Sequence, residues 1–282
     1  MLVTGSIEEI RSTVKLWKRE KLTVGFVPTM GALHEGHLEL IRKAKSEADR
    51  VVVSIFVNPK QFGPNEDYDE YPRMQKEDLR ACRKLRVASV FAPSVSEMYP
   101  PTSRFSISLN QLNRHMCGAS RPGFFEGVVL VVNKLFNIVQ PDLAVFGQKD
   151  IQQFRILETM VQEFNHDVEL KMGEIVRAAD GLALSSRNAY LSNDERLKAP
   201  LLYRTLQQIE TEVNDGVTEL SEQIGYRKAE LEANGLQIDY LDIYAYDTLE
   251  PVSKLKKGCN YILAGAVYIG STRLIDNIII DL

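Results

Sequence analysis

Short apolar runs alternate with helical patterns through the first 175 residues, and this alternation constrains the fold more than any other feature of the sequence. The runs at 23–29 and 51–58, and the run that opens 143–150, are continuously apolar, as expected of strands buried on both faces. The segments 37–49 and 152–164 instead carry apolar residues at helical spacing. We therefore predict an α/β fold in which a parallel sheet has helices on both faces.

The character of the sequence changes after residue 175. Two charged helical patterns occupy 199–234, and three strand patterns follow between 238 and 280. This order predicts a smaller α+β unit. The expected organisation is a Rossmann-like domain over 1–175 and a C-terminal α+β domain over 176–282.

The net charge of −4 argues against a surface built for nucleic acid or for an anionic membrane. Cys82, Cys117 and Cys259 form no C-x-x-C pair, so neither a zinc site nor a disulfide framework is expected. The segment 1–20 lacks the apolar stretch of a signal peptide, and no apolar run approaches the roughly 18 residues of a membrane span. We expect a cytoplasmic protein without nucleic-acid or membrane partners.

Two of the four histidines, His34 and His37, lie in the stretch T-M-G-A-L-H-E-G-H at 29–37. They follow a predicted strand and begin a predicted helix, so they are expected at the edge of the sheet where ligands bind. Residues three apart share a helix face, and the N-terminus of a helix attracts anions. The motif therefore predicts a phosphate site, in which imidazoles donate hydrogen bonds to phosphoryl oxygens.

Two other readings of the histidine pair stay open at this point. The residues could be ordinary surface histidines at the start of a helix. A metal site is the weaker alternative, because H-E-G-H lacks the spacing of the H-E-x-x-H zinc helix. The Gly-rich phosphate loops G-x-x-x-x-G-K-[ST] and G-x-G-x-x-G are absent from the sequence.

Three further motifs place polar side chains after predicted strands or in loops. Gln61 follows the second strand, and an uncharged amide suits an alcohol or a carboxylate. Lys149 follows a later strand and provides a point charge for phosphate. Ser185, Ser186 and Arg187 are consecutive and could bind a triphosphate through charge-assisted hydrogen bonds. Each could equally be a solvated loop residue.

Four motifs in the same order resemble one known family. V-P-T-M-G-A-L-H-E-G-H, S-I-F-V-N-P-K-Q-F, F-G-Q-K-D and D-G-L-A-L-S-S-R-N-A-Y-L lie between residues 27 and 191. They resemble the pantoate–β-alanine ligase (pantothenate synthetase) family, and the first contains the H-x-G-H signature of class I nucleotidylyl-transferring proteins. The resemblance implies an ATP-dependent ligase that forms pantoyl adenylate and passes its acyl group to β-alanine. It further implies ATP and Mg²⁺, a homodimer formed through the first domain, and a second domain that covers the ATP site.

The resemblance also assigns roles to residues of this chain. His37, His34, Lys149 and Arg187 would be catalytic, with Lys149 bridging an ATP phosphate and the pantoate carboxylate. His37 is the candidate for proton donation to the leaving pyrophosphate. Substrate would be bound by Gln61, Gln153, Asn58 and Arg121. The residues expected to bind ATP are Met30, Gly31, Ala32, Leu33, His34, Glu35, Gly36, His37, Gly147, Gln148, Lys149, Asp150, Val176, Leu184, Ser185, Ser186 and Arg187.

The acidic side chains near Gln61 have two expected roles. By the resemblance, Glu77 and Asp78 lie where a carboxylate helps to hold the Mg²⁺ that binds the ATP phosphates, and Asp78 is the candidate ligand. The acidic and aromatic segment 65–73 is either a lid or a solvated face.

One segment departs from the family pattern. Phe124 stands where the family more often has histidine, and Glu126 where it has a basic residue. These changes put pantoate affinity or local loop geometry in question, and Arg121 is retained.

Two rival functions are also consistent with the sequence. A nucleotidylyltransferase acting on a phosphorylated acceptor would need a second basic site, whereas Gln61 and Gln153 suggest an uncharged polyol. A non-catalytic nucleotide-binding protein would bind ATP without turnover. An aminoacyl-tRNA synthetase is disfavoured, because no basic anticodon-binding region is present and the net charge is negative.

Overall fold

The computed structural model describes residues 1–64, 66–102 and 104–282. Asn65, the first residue of the acidic segment 65–73, lies outside the described residues. The chain forms two compact units. The first unit comprises 1–109, 122–148 and 153–174, and the second comprises 110–121, 149–152 and 175–282.

Ten α-helices are present among the described residues. In chain order they are α1 Ile7–Arg19, α2 Glu35–Glu47, α3 Gln75–Lys84, α4 Val95–Met98, α5 Met116–Ser120, α6 Phe124–Val139, α7 Ile151–Glu163, α8 Asn193–Lys198, α9 Leu201–Asn214 and α10 Ser221–Ala233. Within the ranges described, each helix is too short or too polar to cross a lipid bilayer.

The first unit is built on a six-stranded sheet in the order β1-β4-β3-β2-β5-β6. Its strands, all paired in parallel, are β1 Leu2–Thr4, β2 Val24–Thr29, β3 Arg50–Ile55, β4 Ser89–Phe91, β5 Leu143–Gly147 and β6 Glu169–Gly173. β2 is buried almost throughout, which explains its continuous apolar sequence.

Helices cover both faces of this sheet, which confirms the predicted fold class. Phe26 of β2 packs edge-on against Phe136 of α6, with ring centroids 6.4 Å apart. The next residue, Val27, belongs instead to a buried cluster with Ile41 and Ala44 of α2. Neighbouring residues of a strand point to opposite faces, so α6 and α2 lie on opposite sides.

The second unit contains the predicted smaller α+β architecture. Its antiparallel sheet has the order β7-β8-β9, with β7 Gln237–Ala245, β8 Asn260–Ile269 and β9 Thr272–Asp281. Leu206 and Ile209 of α9 share a buried core with Leu241 and Leu263 of the sheet. The first of the three predicted strands is β7, which ends at Ala245, where a turn follows.

Two short segments, 110–121 and 149–152, belong to the second unit although the sequence places them in the domain over 1–175. The reason is visible at Gln152, whose side chain is 3% exposed. Its amide nitrogen donates to the carbonyls of Leu112 at 2.9 Å and His115 at 2.8 Å. The side chain of a neighbouring residue in 110–121, Ser120, donates to Asp239 of β7 at 2.7 Å. Hydrogen bonds between residues far apart in the sequence therefore place these two segments in the second unit.

Candidate active site

The histidine motif occupies the turn between β2 and α2 in the first unit. His34 precedes the helix with extended backbone angles, φ −113° and ψ 174°, and α2 begins at Glu35. The His34 and His37 rings lie 4.1 Å apart between centroids and are tilted by 40°. The two imidazoles therefore stand side by side at the carboxyl end of a central strand, where parallel sheets bind ligands.

A main-chain hydrogen bond fixes the tautomer of His37. The backbone N–H of His34 donates to His37 Nδ1 at 3.3 Å, so Nδ1 is the acceptor and the ring proton resides on Nε2. A neutral imidazole with its proton on Nε2 donates a hydrogen bond but is a poor proton donor, because proton loss would leave an imidazolate. The tautomer set by the His34 N–H therefore carries its hydrogen-bond donor at Nε2 of His37.

The loop before the histidines is held by a buried carboxylate. Asp78 of α3 is 2% exposed, and its two oxygens accept from the backbone N–H groups of Ala32 at 3.0 Å and Leu33 at 2.7 Å. The sequence predicted that Asp78 would help to hold Mg²⁺. The structure shows that the carboxylate is buried and that both of its oxygens accept from the protein backbone; a role of Asp78 in holding Mg²⁺ stays a prediction.

The side chain of Asn58 lies at the centre of a buried network of hydrogen bonds in the first unit. Its side chain is 1% exposed, and its amide nitrogen donates to Gln61 Oε1 and to the Gly127 carbonyl, both at 3.0 Å. Its oxygen accepts from the Tyr99 hydroxyl at 2.8 Å and from the Lys60 N–H at 3.2 Å. The hydrogen-bonding capacity of the Asn58 amide is thereby used within the protein, and the amide holds Gln61. The expected contact of Asn58 with substrate stays a prediction.

Gln61 connects this network to the histidine motif. It is 8% exposed, and its amide nitrogen lies 3.0 Å from the sulfur of Met30. Met30 is the residue after β2, so the structure brings the T-M-G-A-L-H-E-G-H motif and the S-I-F-V-N-P-K-Q-F motif together within the first unit.

In the second unit, Lys149 lies near the serine–arginine motif. Lys149, Ser185 and Asn188 line one small cavity of about 20 Å³. Ser185 Oγ accepts from the Arg187 N–H at 3.3 Å at the start of the short 3₁₀ turn Ser186–Tyr190. Val176 and Leu184, two of the expected ATP-binding residues, are also paired, since the Leu184 N–H donates to the Val176 carbonyl at 2.9 Å.

The remaining predicted residues are divided between the two units. Gly147, Gln148 and Gln153 belong to the first unit, and Lys149, Asp150 and Arg121 belong to the second. Phe124 is the first residue of α6, where its ring packs against Phe125 with centroids 4.8 Å apart.

Sequence reasoning missed two residues that hold the site. Tyr99 donates to Asn58, and burial raises the pKa of its phenol, so it stays protonated. Asn277 of β9 is 2% exposed and donates to the Lys149 carbonyl at 3.0 Å. The sequence signal for Asn277 is a polar pair with Asp276, set among the apolar residues Leu274, Ile275 and Ile278 of the strand.

A parallel sheet with an H-x-G-H turn at the carboxyl end of its central strand defines a nucleotidylyl-transferring class of protein. The family model for pantoate-beta-alanine ligase matches residues 2–279. The chain belongs to the pantoate–β-alanine ligase family, and it is an ATP-dependent ligase of pantoate and β-alanine.

Relatives and solved structures agree over the whole chain. The pantothenate synthetase of Caldicellulosiruptor saccharolyticus is 50% identical over 282 residues and both chains are covered completely. The crystal structure of pantothenate synthetase from Thermus thermophilus superposes with a TM-score of 0.91, at 41% identity over 99% of each chain. The enzyme from Francisella tularensis, crystallised with β-γ ATP and β-alanine, gives a TM-score of 0.83 at 34% identity, covering 99% of this chain and 97% of that one.

Proposed function

We propose that the ligation proceeds through pantoyl adenylate in two steps. A carboxylate oxygen of pantoate attacks the α-phosphorus of ATP, and the bond to the bridging oxygen breaks to release pyrophosphate. The amine nitrogen of β-alanine then attacks the acyl carbon and loses a proton to solvent, and the carbon–oxygen bond breaks with AMP as leaving group. Adenylation is needed because a free carboxylate would have to expel oxide.

The observation that carries this proposal is the pair of neighbouring imidazoles at the carboxyl end of β2, 4.1 Å apart. In the first step negative charge accumulates on the departing pyrophosphate, and fixed hydrogen-bond donors stabilise such charge without reorganisation. We assign this role to His34 and His37, with His37 donating from Nε2. By the family resemblance, Lys149 and Arg187 supply positive charge to ATP phosphate, and Lys149 also binds the pantoate carboxylate.

The ATP-binding residues and the substrate-binding residues follow the family assignment, with one change. Backbone N–H groups of Ala32 and Leu33 donate to Asp78, so those residues line the phosphate site without donating to ATP. Gln61 and Gln153 bind the polar end of pantoate, and Arg121 binds substrate by the family resemblance. Support for Gln61 comes from its fixed position beside Asn58 and Met30.

Mg²⁺ fits this site as a partner of the ATP phosphates. In the part of the chain that the structure describes, no group of three or more His, Cys, Asp or Glu side chains is arranged to hold a metal ion. Magnesium commonly keeps most of its water and binds through substrate phosphates, so a protein cage is unnecessary. Bound in this way, Mg²⁺ would neutralise phosphate charge, while His34, His37, Lys149 and Arg187 orient the phosphate chain.

The fate of an isotope label tests the proposal. Pantoate labelled with ¹⁸O in its carboxylate should transfer one labelled oxygen to AMP, because the oxygen that attacks phosphorus leaves with AMP. Formation of ADP, with the label in inorganic phosphate, would contradict the adenylate route. Pyrophosphate exchange that needs a phosphorylated acceptor instead of pantoate would support the rival nucleotidylyltransferase, and ATP binding without turnover would support a non-catalytic protein.

We also propose that the chain forms a homodimer through its first unit, and this rests on the family resemblance. Light scattering coupled to gel filtration should give twice the mass of 31.9 kDa. A single chain mass would contradict the dimer.

A further inference from the structure

Asp78 combines burial with a negative charge. The side chain is 2% exposed and lies on α3, and burial raises the pKa of its carboxyl. A buried carboxylate is tolerated only where hydrogen bonds replace its lost water. The N–H groups of Leu33, at 2.7 Å, and Ala32, at 3.0 Å, provide that replacement.

The loop around these two N–H groups has an unusual backbone. Gly31 and Ala32 are consecutive residues with positive φ, +84° and +49°, a conformation that non-glycine residues rarely adopt. Backbone turned in this way can direct successive N–H groups toward one anion. In this protein Asp78 takes the place of that anion.

Gly31 shows how closely the loop and the carboxylate fit. A Cβ atom at Gly31 would lie 2.9 Å from Asp78 Oδ2 and 3.1 Å from Ile55 Cγ2. Any other residue would therefore push the carboxylate away from the N–H groups that it accepts. Gly31, the positive φ angles of the loop and the buried carboxylate of Asp78 therefore depend on one another.

The loop 31–33 leads directly into the two histidines. Leu33 precedes His34, and the His34 N–H donates to His37 Nδ1 at 3.3 Å. A shift of the Leu33 N–H would move the His34 backbone, and with it the hydrogen bond that sets the His37 tautomer. Asp78 touches neither ring in any hydrogen bond described above, so its influence passes through the backbone.

We propose that Asp78 is a positioning residue for the adenylation step, which anchors the loop 31–33 so that His34 and His37 meet the ATP phosphates in a single geometry. This rests on the proposed role of the two histidines. Positioning errors of about 1 Å reduce the rates of enzyme reactions by up to about 100-fold.

The main test compares Asp78→Asn with Glu8→Gln. Each variant neutralises one carboxylate in the first turn of a helix of the first unit, but Glu8 is exposed and Asp78 is buried. Asp78→Asn should slow single-turnover adenylation by about 10- to 100-fold, with kcat and kcat/KM lowered together and the KM for β-alanine unchanged. Glu8→Gln should retain the wild-type rate. A folded Asp78→Asn protein with wild-type adenylation would overturn the proposal.

A titration with Mg²⁺ separates positioning from metal binding. If Asp78 anchors the loop, the Mg²⁺ concentration for half-maximal rate stays the same in Asp78→Asn and excess Mg²⁺ restores nothing. Rescue by excess Mg²⁺ would identify Asp78 as a metal ligand and overturn the positioning role.

Amide hydrogen exchange without any substrate provides a readout that does not depend on activity. The Ala32 and Leu33 amides should exchange at least about 10-fold faster in Asp78→Asn, since each net hydrogen bond to a charged group is worth more than a tenfold change in equilibrium. If Asp78→Asn does not fold, Gly31→Ala displaces the same carboxylate without removing its charge and should raise exchange in the same way. Unchanged exchange in a folded variant would overturn the anchoring. If the wild-type protein makes no adenylate, the proposed reaction is contradicted. The exchange result does not depend on that reaction and would still test the anchoring of the loop.

Discussion

The side-chain amide of Asn277 donates a 3.0 Å hydrogen bond to the main-chain carbonyl of Lys149. The donor is 2% exposed on β9, and the acceptor belongs to the residue proposed to contact phosphate. A strand near the end of the chain thus fixes the backbone of a residue more than a hundred positions earlier.

Replacement of Asn277 by alanine should therefore weaken ATP binding. The change leaves the Lys149 carbonyl without its donor, and a buried group without a partner costs about 1–3 kcal/mol. We expect a rise of about tenfold in the KM for ATP and a lower melting temperature. Asn137→Ala is the matched control, because Asn137 is exposed and its side chain bonds only to Asn133 within its own helix in the contacts described. Equal effects of the two variants would contradict this account.

The two possible roles of His37 can be separated by substitution. His37→Gln keeps an N–H donor near the position of Nε2, whereas His37→Ala removes it. If His37 acts as a hydrogen-bond donor, the glutamine variant should adenylate pantoate at least about tenfold faster than the alanine variant, which should lose about 10²–10³-fold, as for an oxyanion-site donor. If His37 transfers a proton, both variants should be equally slow. Single-turnover rates of AMP formation distinguish the two cases.

An internal ion pair stabilises the second unit. Arg177 donates to Asp276 at 2.6 and 2.9 Å, and its guanidinium carbon lies 3.4 Å from the centre of the Tyr203 ring. Asp276 is 4% exposed. Asp276→Ala should lower the free energy of unfolding by about 3 kcal/mol, because it leaves the arginine charge partly buried and unpaired.

The control for Asp276 is the exposed pair of Lys254 and Glu219, joined at 2.7 Å. Lys254→Ala should leave the free energy of unfolding almost unchanged, as is usual for surface ion pairs, which solvent screens. Urea unfolding curves measure both values. A loss of stability in Asp276→Ala no larger than that in Lys254→Ala would show that the buried pair contributes little.

Two glycine variants test how tightly α6 approaches the loop that carries Gln61. A Cβ atom at Gly127 would lie 2.0 Å from the Lys60 carbonyl oxygen, so Gly127→Ala must displace Asn58 and Gln61. We expect a loss of about 2–3 kcal/mol, the upper range for overpacking, and weaker binding of pantoate. A Cβ atom at Gly225 of α10 would meet nothing within 4 Å, so Gly225→Ala should stabilise by about 0.5–1 kcal/mol. Thermal unfolding of the two variants should move in opposite directions.

Local patterns predicted the parts of the structure that depend on nearby residues. The continuous apolar sequence of β2 predicts its burial. The spacing of His34 and His37 predicts that their side chains point the same way. The H-x-G-H turn could be placed at the sheet edge because a strand and a helix flank it directly.

Contacts between distant residues could not be predicted in this way. Nothing in the sequence around Asn58 indicates that Tyr99 fills its last acceptor position, and nothing around Asp78 indicates that its oxygens accept from Ala32 and Leu33. These pairs are set by tertiary packing, so the sequence suggested ligand-binding roles for Asn58 and Asp78 where the structure shows hydrogen bonds within the protein.

The stability of the first unit should depend on pH through His166. Its Nε2 is hydrogen-bonded to Asn133 Oδ1 at 2.9 Å, its ring packs edge-on against Phe136, and burial lowers the pKa of the imidazole. In the unfolded chain the pKa of histidine is about 6.5. As the pH falls, the unfolded chain therefore takes up a proton at a higher pH than the folded protein does. Stability from this group is complete above the unfolded pKa and is lost as the pH falls through it. Between pH 7 and pH 5, about the range that brackets this pKa, wild-type protein should lose more stability than His166→Gln, whose side chain does not titrate. Both proteins share all other titrating groups, so parallel stability curves in urea at the two pH values would show that His166 is not perturbed by folding.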